Sequence, residues 1–145
     1  MTAHTPGDVR EAIAAYLDAH GIAKYEPDDA YPDDLELPAV FFGAMPEAPD
    51  RAVTVNVYDW VTTRDKANPD VFVQLRFRGT ADMAAADLPA DQAFALLDEA
   101  EHYAMGDVRV LQSIRRVTTS AALDTNGRYE RPESYRFTIH PKGTA

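Results

Sequence analysis

The side chains that most often carry chemistry are few in this chain and poorly spaced for it. Its four histidines, His4, His20, His102 and His140, form neither H-x-x-x-H nor H-x-x-E-H, so no helix face offers paired imidazoles to a metal. The run "DDAYPDD" at 28–34 holds carboxylates of the kind that bind Ca²⁺. It lacks the glycine and closing glutamate of the standard loop, and reads as solvated. Ser113, Ser120 and Ser134 have no adjacent histidine to act as a base, and no G-x-S-x-G, P-loop or G-x-G-x-x-G occurs. Asp98 and Glu101 have the spacing of an outer helix face, where a structural role is the default. Trp60, at a strand end, suits a core or an interface. We expect no enzyme here: no catalytic residues, no cofactor and no metal.

Composition narrows the class. The 145 residues suit one domain, 1–145, with tails at 1–6 and 141–145. Cysteine is absent, which excludes disulfides and thiolate metal sites. No run of about 18 apolar residues exists to span a membrane, and the N-terminus lacks the basic-then-apolar pattern of a secretory leader. The net charge is −10, unevenly spread: residues 1–50 hold eleven acids and two bases, residues 51–145 thirteen acids and twelve bases. Such a chain is a poor bulk binder of nucleic acid, whose phosphates are held mainly by Lys and Arg.

The elements that must position any site follow from periodicity. "PGDVREAIAAYLDAHGI" reads as a helix with Val9, Ile13, Tyr16 and Leu17 on one face and Gly21 as its stop. Residues 23–38 carry three prolines and six acids, an acidic loop of about 24–38. "AVFFGAM", "RAVTVNVY", "VFVQLRFRG", "DVRVLQSIRRVTTS" and "SYRFTIHP" read as strands, with "TTRDKANPD" a polar connection between the second and third. "DLPADQAFALLDEAEHYAMG" reads as one helix with Pro89 near its first turn, Asp98, Glu99 and Glu101 solvated, and Gly106 at its end. The order is α-β-β-β-α-β-β, and the expected class is α+β, a mainly antiparallel sheet with two helices on one face. Asn126–Gly127 is a strong tight-turn signal.

Strand alternation places Thr54, Asn56, Gln74, Arg76, Arg78, Arg109, Ser113, Arg115, Arg136, Thr138 and His140 on the helix-free face. Five are arginines, a residue enriched at interfaces for its planar, many-donor fork. The loop Glu26–Glu36, with Asp28, Asp29, Asp33 and Asp34, offers complementary charge, which a neighbouring copy could supply.

Three stretches, "PDRAVTVNVYDW" at 49–60, "VFVQLRFRG" at 71–79 and "DVRVLQSIRRVTTSAALDTNGRYERPESYRFTIH" at 107–140, together resemble the tail terminator (minor capsid or minor tail) proteins of long-tailed, siphovirus-like phages of actinobacteria. The matching positions are Pro49, Asp50, Arg51, Gln74, Arg76, Arg78, Gly79, Gln112, Arg115, Arg116, Asn126, Gly127, Arg128, Tyr129 and Glu130. The likeness runs from about residue 7 to 140. Asp107 stands where the family often has a second glycine, and the acidic loop lies where the family varies. The resemblance implies a virion protein, made in the host cytoplasm and located at the head–tail neck. It would form a homo-oligomeric ring, a hexamer, on the head-proximal end of the tail tube. The ring would stop tube polymerisation, meet the head-completion or neck proteins, and pass DNA through its lumen without specific binding. Arg128, Tyr129 and Glu130 would then touch a neighbouring subunit or ring, joining the arginine face and acidic loop as interface candidates. Two alternatives stay open: a head-closure or neck ring protein, and a small soluble ligand-binding module.

Overall fold

A computed structural model describes residues 2–28, 30–63 and 66–143. The first helix, α1 (Pro6–Ala19), starts where its sequence directs. The Thr5 hydroxyl accepts from the Asp8 N–H at 3.1 Å and the Asp8 carboxylate accepts from the Thr5 N–H at 2.8 Å, a reciprocal cap, with Pro6 opening the first turn. Past its end, Gly21 takes φ +70°, the left-handed stop that glycine tolerates.

The strands are β1 (Ala39–Phe41), β2 (Ala52–Thr63), β3 (Lys66–Arg78), β4 (Ala100–Met105), β5 (Val108–Thr118), β6 (Ala122–Leu123) and β7 (Tyr129–Ile139), with α2 (Ala84–Leu97) between β3 and β4. They form one mixed, mainly antiparallel sheet ordered β1-β2-β3-β7-β5-β4, with β6 paired to β7. Only β1 runs parallel to its neighbour, β2. Val53 and Val55 of β2, Val71, Val73, Leu75 and Phe77 of β3, and Tyr135, Phe137 and Ile139 of β7 join one core with Val9, Ile13 and Leu17 of α1 and Ala90, Ala93 and Leu97 of α2. Trp60 packs against that core, half-buried. The class is α+β, with two helices and a mixed seven-strand sheet.

Three local expectations are corrected. The second helix does not run to Gly106. It begins earlier, at Ala84, so Pro89 lies inside it, and it stops at Leu97, where Asp98 turns to ψ 130° and Glu99 to φ +55°. Residues 100–105 become a strand because β5 offers them a backbone ladder, from Ala100↔Ser113 to Met105↔Val108. Tyr103 then stacks on Tyr16 and Met105 is buried, an alternation that the helical reading passed over. Glu101 and His102 therefore sit on a strand, and Gly106 forms the tight β4–β5 turn at φ +57°. The "TTRDKANPD" connection is mostly hairpin, since β2 reaches Thr63 and β3 begins at Lys66.

The third correction concerns β5. Val108, Val110 and Ile114 are not in phase, because the register shifts between Val110 and Gln112. Such a bulge flips the side chains that follow, here as far as a second register shift between Arg115 and Val117. Ser113 and Arg115 turn to the helix-covered face, opposite Phe137 and Tyr135, and Ile114 turns away opposite Arg136.

Gly79 ends β3 against the start of α2. A Cβ there would lie 2.5 Å from the Ala86 nitrogen and 2.6 Å from the Ala85 carbonyl carbon. Gly79→Ala must push strand and helix apart, and we expect a loss of about 1–3 kcal/mol in urea unfolding; an unchanged midpoint would contradict this packing.

Candidate functional site: an arginine clamp and two charged faces

Three segments far apart in sequence meet at one end of the sheet. They are the loop 46–51, the end of β3 with Gly79, and the turn 124–130. Arg78, 3% exposed, joins the first two. Its Nε donates to the Asp50 carbonyl at 2.9 Å, and its Nη2 donates to the Pro46 and Pro49 carbonyls, each at 2.7 Å. The Ala48–Pro49 peptide is cis. Arg128 joins the first and third. Its Nη1 donates to the Glu47 carbonyl at 2.5 Å and to Asp50 Oδ1 at 3.2 Å, and its Nε donates to Asp124 Oδ2 at 3.2 Å. The turn is closed by Asp124, whose Oδ1 accepts from the Asn126 and Arg128 N–H groups at 2.8 and 2.9 Å. Gly127 at φ +76° lets the chain reverse. Asn126 Nδ2 reaches Glu47 Oε2 at 3.1 Å, while Gly79 and Thr80 bond the Tyr129 backbone at 2.8 and 3.0 Å.

The electrostatics follow from that crowding. Burial, then the adjacent Arg128 charge, lower the pKa of Arg78, opposed by Glu130, Asp124 and Asp50. Burial works against the charged form of Arg128 too, but bonds to Asp50 and Asp124 outweigh it and raise its pKa. The Arg128 N–H holds Asp124 below the usual carboxylate value, burial opposing, with the Asn126 N–H and the Arg128 charge adding to it.

The other candidates fall into distinct places. Arg115 lies under α2, donating to the fully buried Glu133 at 3.3 Å, with its guanidinium 3.7 Å over the Phe94 ring. Arg131 completes that cluster, donating to Glu133 at 2.8 Å and pairing with Asp91 and Asp87 of α2 at 2.9 and 3.2 Å. Arg76 and Arg109 are exposed, and half-buried Arg136 donates to Gln112 at 3.2 Å. Beside them, Arg116 stacks 4.9 Å over Phe72, which also meets exposed Tyr58. Tyr129 and Glu130 are half-buried beside the clamp. In the acidic loop, Asp28, Asp33 and Asp34 are exposed, and Asp29 lies outside the described residues. The loop is pinned rather than free: the Tyr31 hydroxyl donates to the Val40 carbonyl at 2.8 Å and accepts from the Glu26 N–H at 3.0 Å. Among the described residues, no ion pair links Arg76, Arg109 or Arg136 to Asp28, Asp33 or Asp34 within the subunit.

Sequence reasoning missed Glu47, Asp87 and Asp91, and it gave the "GRYERPE" stretch with Arg131 and Glu133 an outward contact, whereas both pair inside the chain. Their opposite charges in "RPE", which lies within β7, are the signal for that pairing. Among the described residues no cluster of His, Asp or Glu has the makings of a metal site. A groove of about 1050 Å³ runs between the N-terminal segment, α1 and the β4–β5 turn. Its Asp8 is committed to the α1 cap.

Fold and site together describe an α+β protein whose Arg78–Arg128 cluster holds its own loops in place. The chain belongs to the bacteriophage tail terminator protein family, which it matches over residues 16–141, and is thus a structural protein of the virion. Among solved structures it is similar to a chain described as "Virion of native gene transfer agent (GTA) particle", at 17% identity and a TM-score of 0.57, covering 88% of this chain and 92% of that one. That likeness shows the fold. No curated protein matches.

The clamp makes two measurable demands. Arg78→Ala strands three carbonyls, and we expect a loss of about 2–3 kcal/mol at pH 7 by urea unfolding. Arg78→Lys should recover little, since one ammonium does not reproduce the fork. Asp124 has a depressed folded pKa, so its stabilisation is complete above the unfolded value of about 3.9 and fades as pH falls toward the folded one. Asp124→Asn, which keeps the Oδ1 acceptor, should be less stable than wild type at pH 6 and should converge with it in acid unfolding. Parallel curves across that range would contradict the charge's role.

Proposed function

We propose that this chain assembles into a hexameric ring on the head-proximal end of the tail tube, ends tube growth there, and presents its far side to the head-completion proteins at the virion neck. Family membership over residues 16–141 is the observation that carries this reading. The surface supports it. A ring of identical subunits needs a head-to-tail contact between two different, complementary patches. The exposed or half-exposed Arg76, Arg109 and Arg136 are spread along one face of the sheet and the exposed Asp28, Asp33 and Asp34 lie on the acidic loop, and among the described residues neither set pairs with the other inside the chain. Tyr31 holds the acidic loop in shape, so little order is lost when a neighbour engages it. Asp29 belongs to that loop by sequence and joins the proposal on that ground alone.

Arg78, Arg128 and Arg115 enter the interface indirectly, by fixing the loop, turn and helix that carry it. Tyr129 and Glu130, half-buried at the clamp, supply its contact to the next ring. The net charge of −10 suits a conduit, since a negative bore repels passing phosphate. The structure favours a subunit over a ligand module because the best-built polar cluster is spent on internal hydrogen bonds.

Light scattering across a concentration series, or on added tube ends, should find a species near six copies of the 16.0 kDa chain. Arg76→Glu combined with Arg109→Glu should weaken that association by at least about tenfold while unfolding is unchanged. Association that ignores the reversal would remove the arginine face from the interface.

A further inference from the structure

Among the described residues, Tyr58 and Val61 are exposed on β2, and the other large exposed apolar side chains lie at two flanks of the sheet. On the β1 side, a cleft of about 310 Å³ lies between the end of α1, the close of the acidic loop and the start of α2. Leu37 and Leu88 line it, Leu88 at 61% exposure, and exposed Met83 sits beside it. Glu36 and Asp82 also line the cleft, as does Arg51. On the far side, β5 residues 114–118 run past the last β4 pair, and β6 continues that flank along β7. Val117 at 54% and Leu123 at 59% stand out there, next to exposed Arg116.

We propose that these two flanks are the apolar centre of one subunit junction: the 116–123 corner of one copy seats in the Leu37–Leu88 cleft of the next. The occupant is a second copy of this chain for three reasons. The flanks are different surfaces, one adjoining β1 at the start of the sheet order and the other on β5 and β6 beyond β7, as a head-to-tail contact requires and a two-fold contact does not. Their charges are complementary, Arg116 approaching Glu36 and Asp82. The cleft is also continuous with the acidic loop through Glu36 and Leu37. Burying Leu88 and Leu123 against each other removes the largest exposed aliphatic surface of the subunit from water. This junction rests on the ring proposed above and gives it an address.

The absence of cysteine makes a clean test possible. Leu88→Cys and Leu123→Cys are made in separate full-length chains, mixed at equal concentration under assembling conditions, and treated with a short bismaleimide. A cross-linked dimer in the mixture, absent from either variant alone, is the expected result. Equal cross-linking of either variant with itself overturns the head-to-tail geometry. No cross-link in any sample overturns the junction; if light scattering still finds several copies in that sample, the ring stands and only its address is wrong.

Discussion

A guanidinium taken out of water must have its donors filled, and Arg78 fills them with backbone. It makes three bonds to the carbonyls of Pro46, Pro49 and Asp50, without a direct carboxylate partner among the described residues. Burying a charge costs several kcal/mol unless such bonds replace its hydration. The path of the 46–51 loop is therefore tied to one residue at the end of β3. Arg128 beside it adds a like charge, which Asp50 and Asp124 offset. Remove either arginine and the loop, the 124–128 turn and the approach to α2 lose their common anchor.

From that anchor the surface follows. With the loop held at one end of β3, Arg76 two residues earlier faces water, and Thr54 beside it stays buried. A second cluster does the same for α2. Asp87 and Asp91 reach Arg131, and Arg131 shares Glu133 with Arg115. The helix is thereby locked over the sheet by charge as well as by Ala90, Ala93 and Leu97. Both clusters spend arginine inside the chain and fix the backbone that carries the exposed charges, which in the proposed ring lowers the ordering cost of assembly.

Much of this was legible in the residues. The apolar face and stop of α1, the alternation in β2, β3 and β7, and the Asn126–Gly127 turn each have a local cause and were read correctly. The tail terminator likeness was legible too, in the order of three motifs. What escaped has a non-local cause. The strand at 100–105 exists because β5 lies beside it, and its acids and alanines suit a helix equally well. The bulge at Leu111, which moves Arg115 to the other face, leaves no mark in "VRVLQSIRR". The partners of Arg78 are carbonyls, which every residue owns, so no side-chain pattern could announce the clamp. The three motif stretches that looked like separate signatures turn out to touch one another there.

The central claim, that this subunit closes a tube end, is open to one direct observation. Purified tail tube protein is polymerised with and without this chain, and tube lengths and ends are counted by electron microscopy. Short tubes carrying a ring at one end only, in proportion to added chain, are the expected result. Tubes of unchanged length with no added density at either end would contradict it.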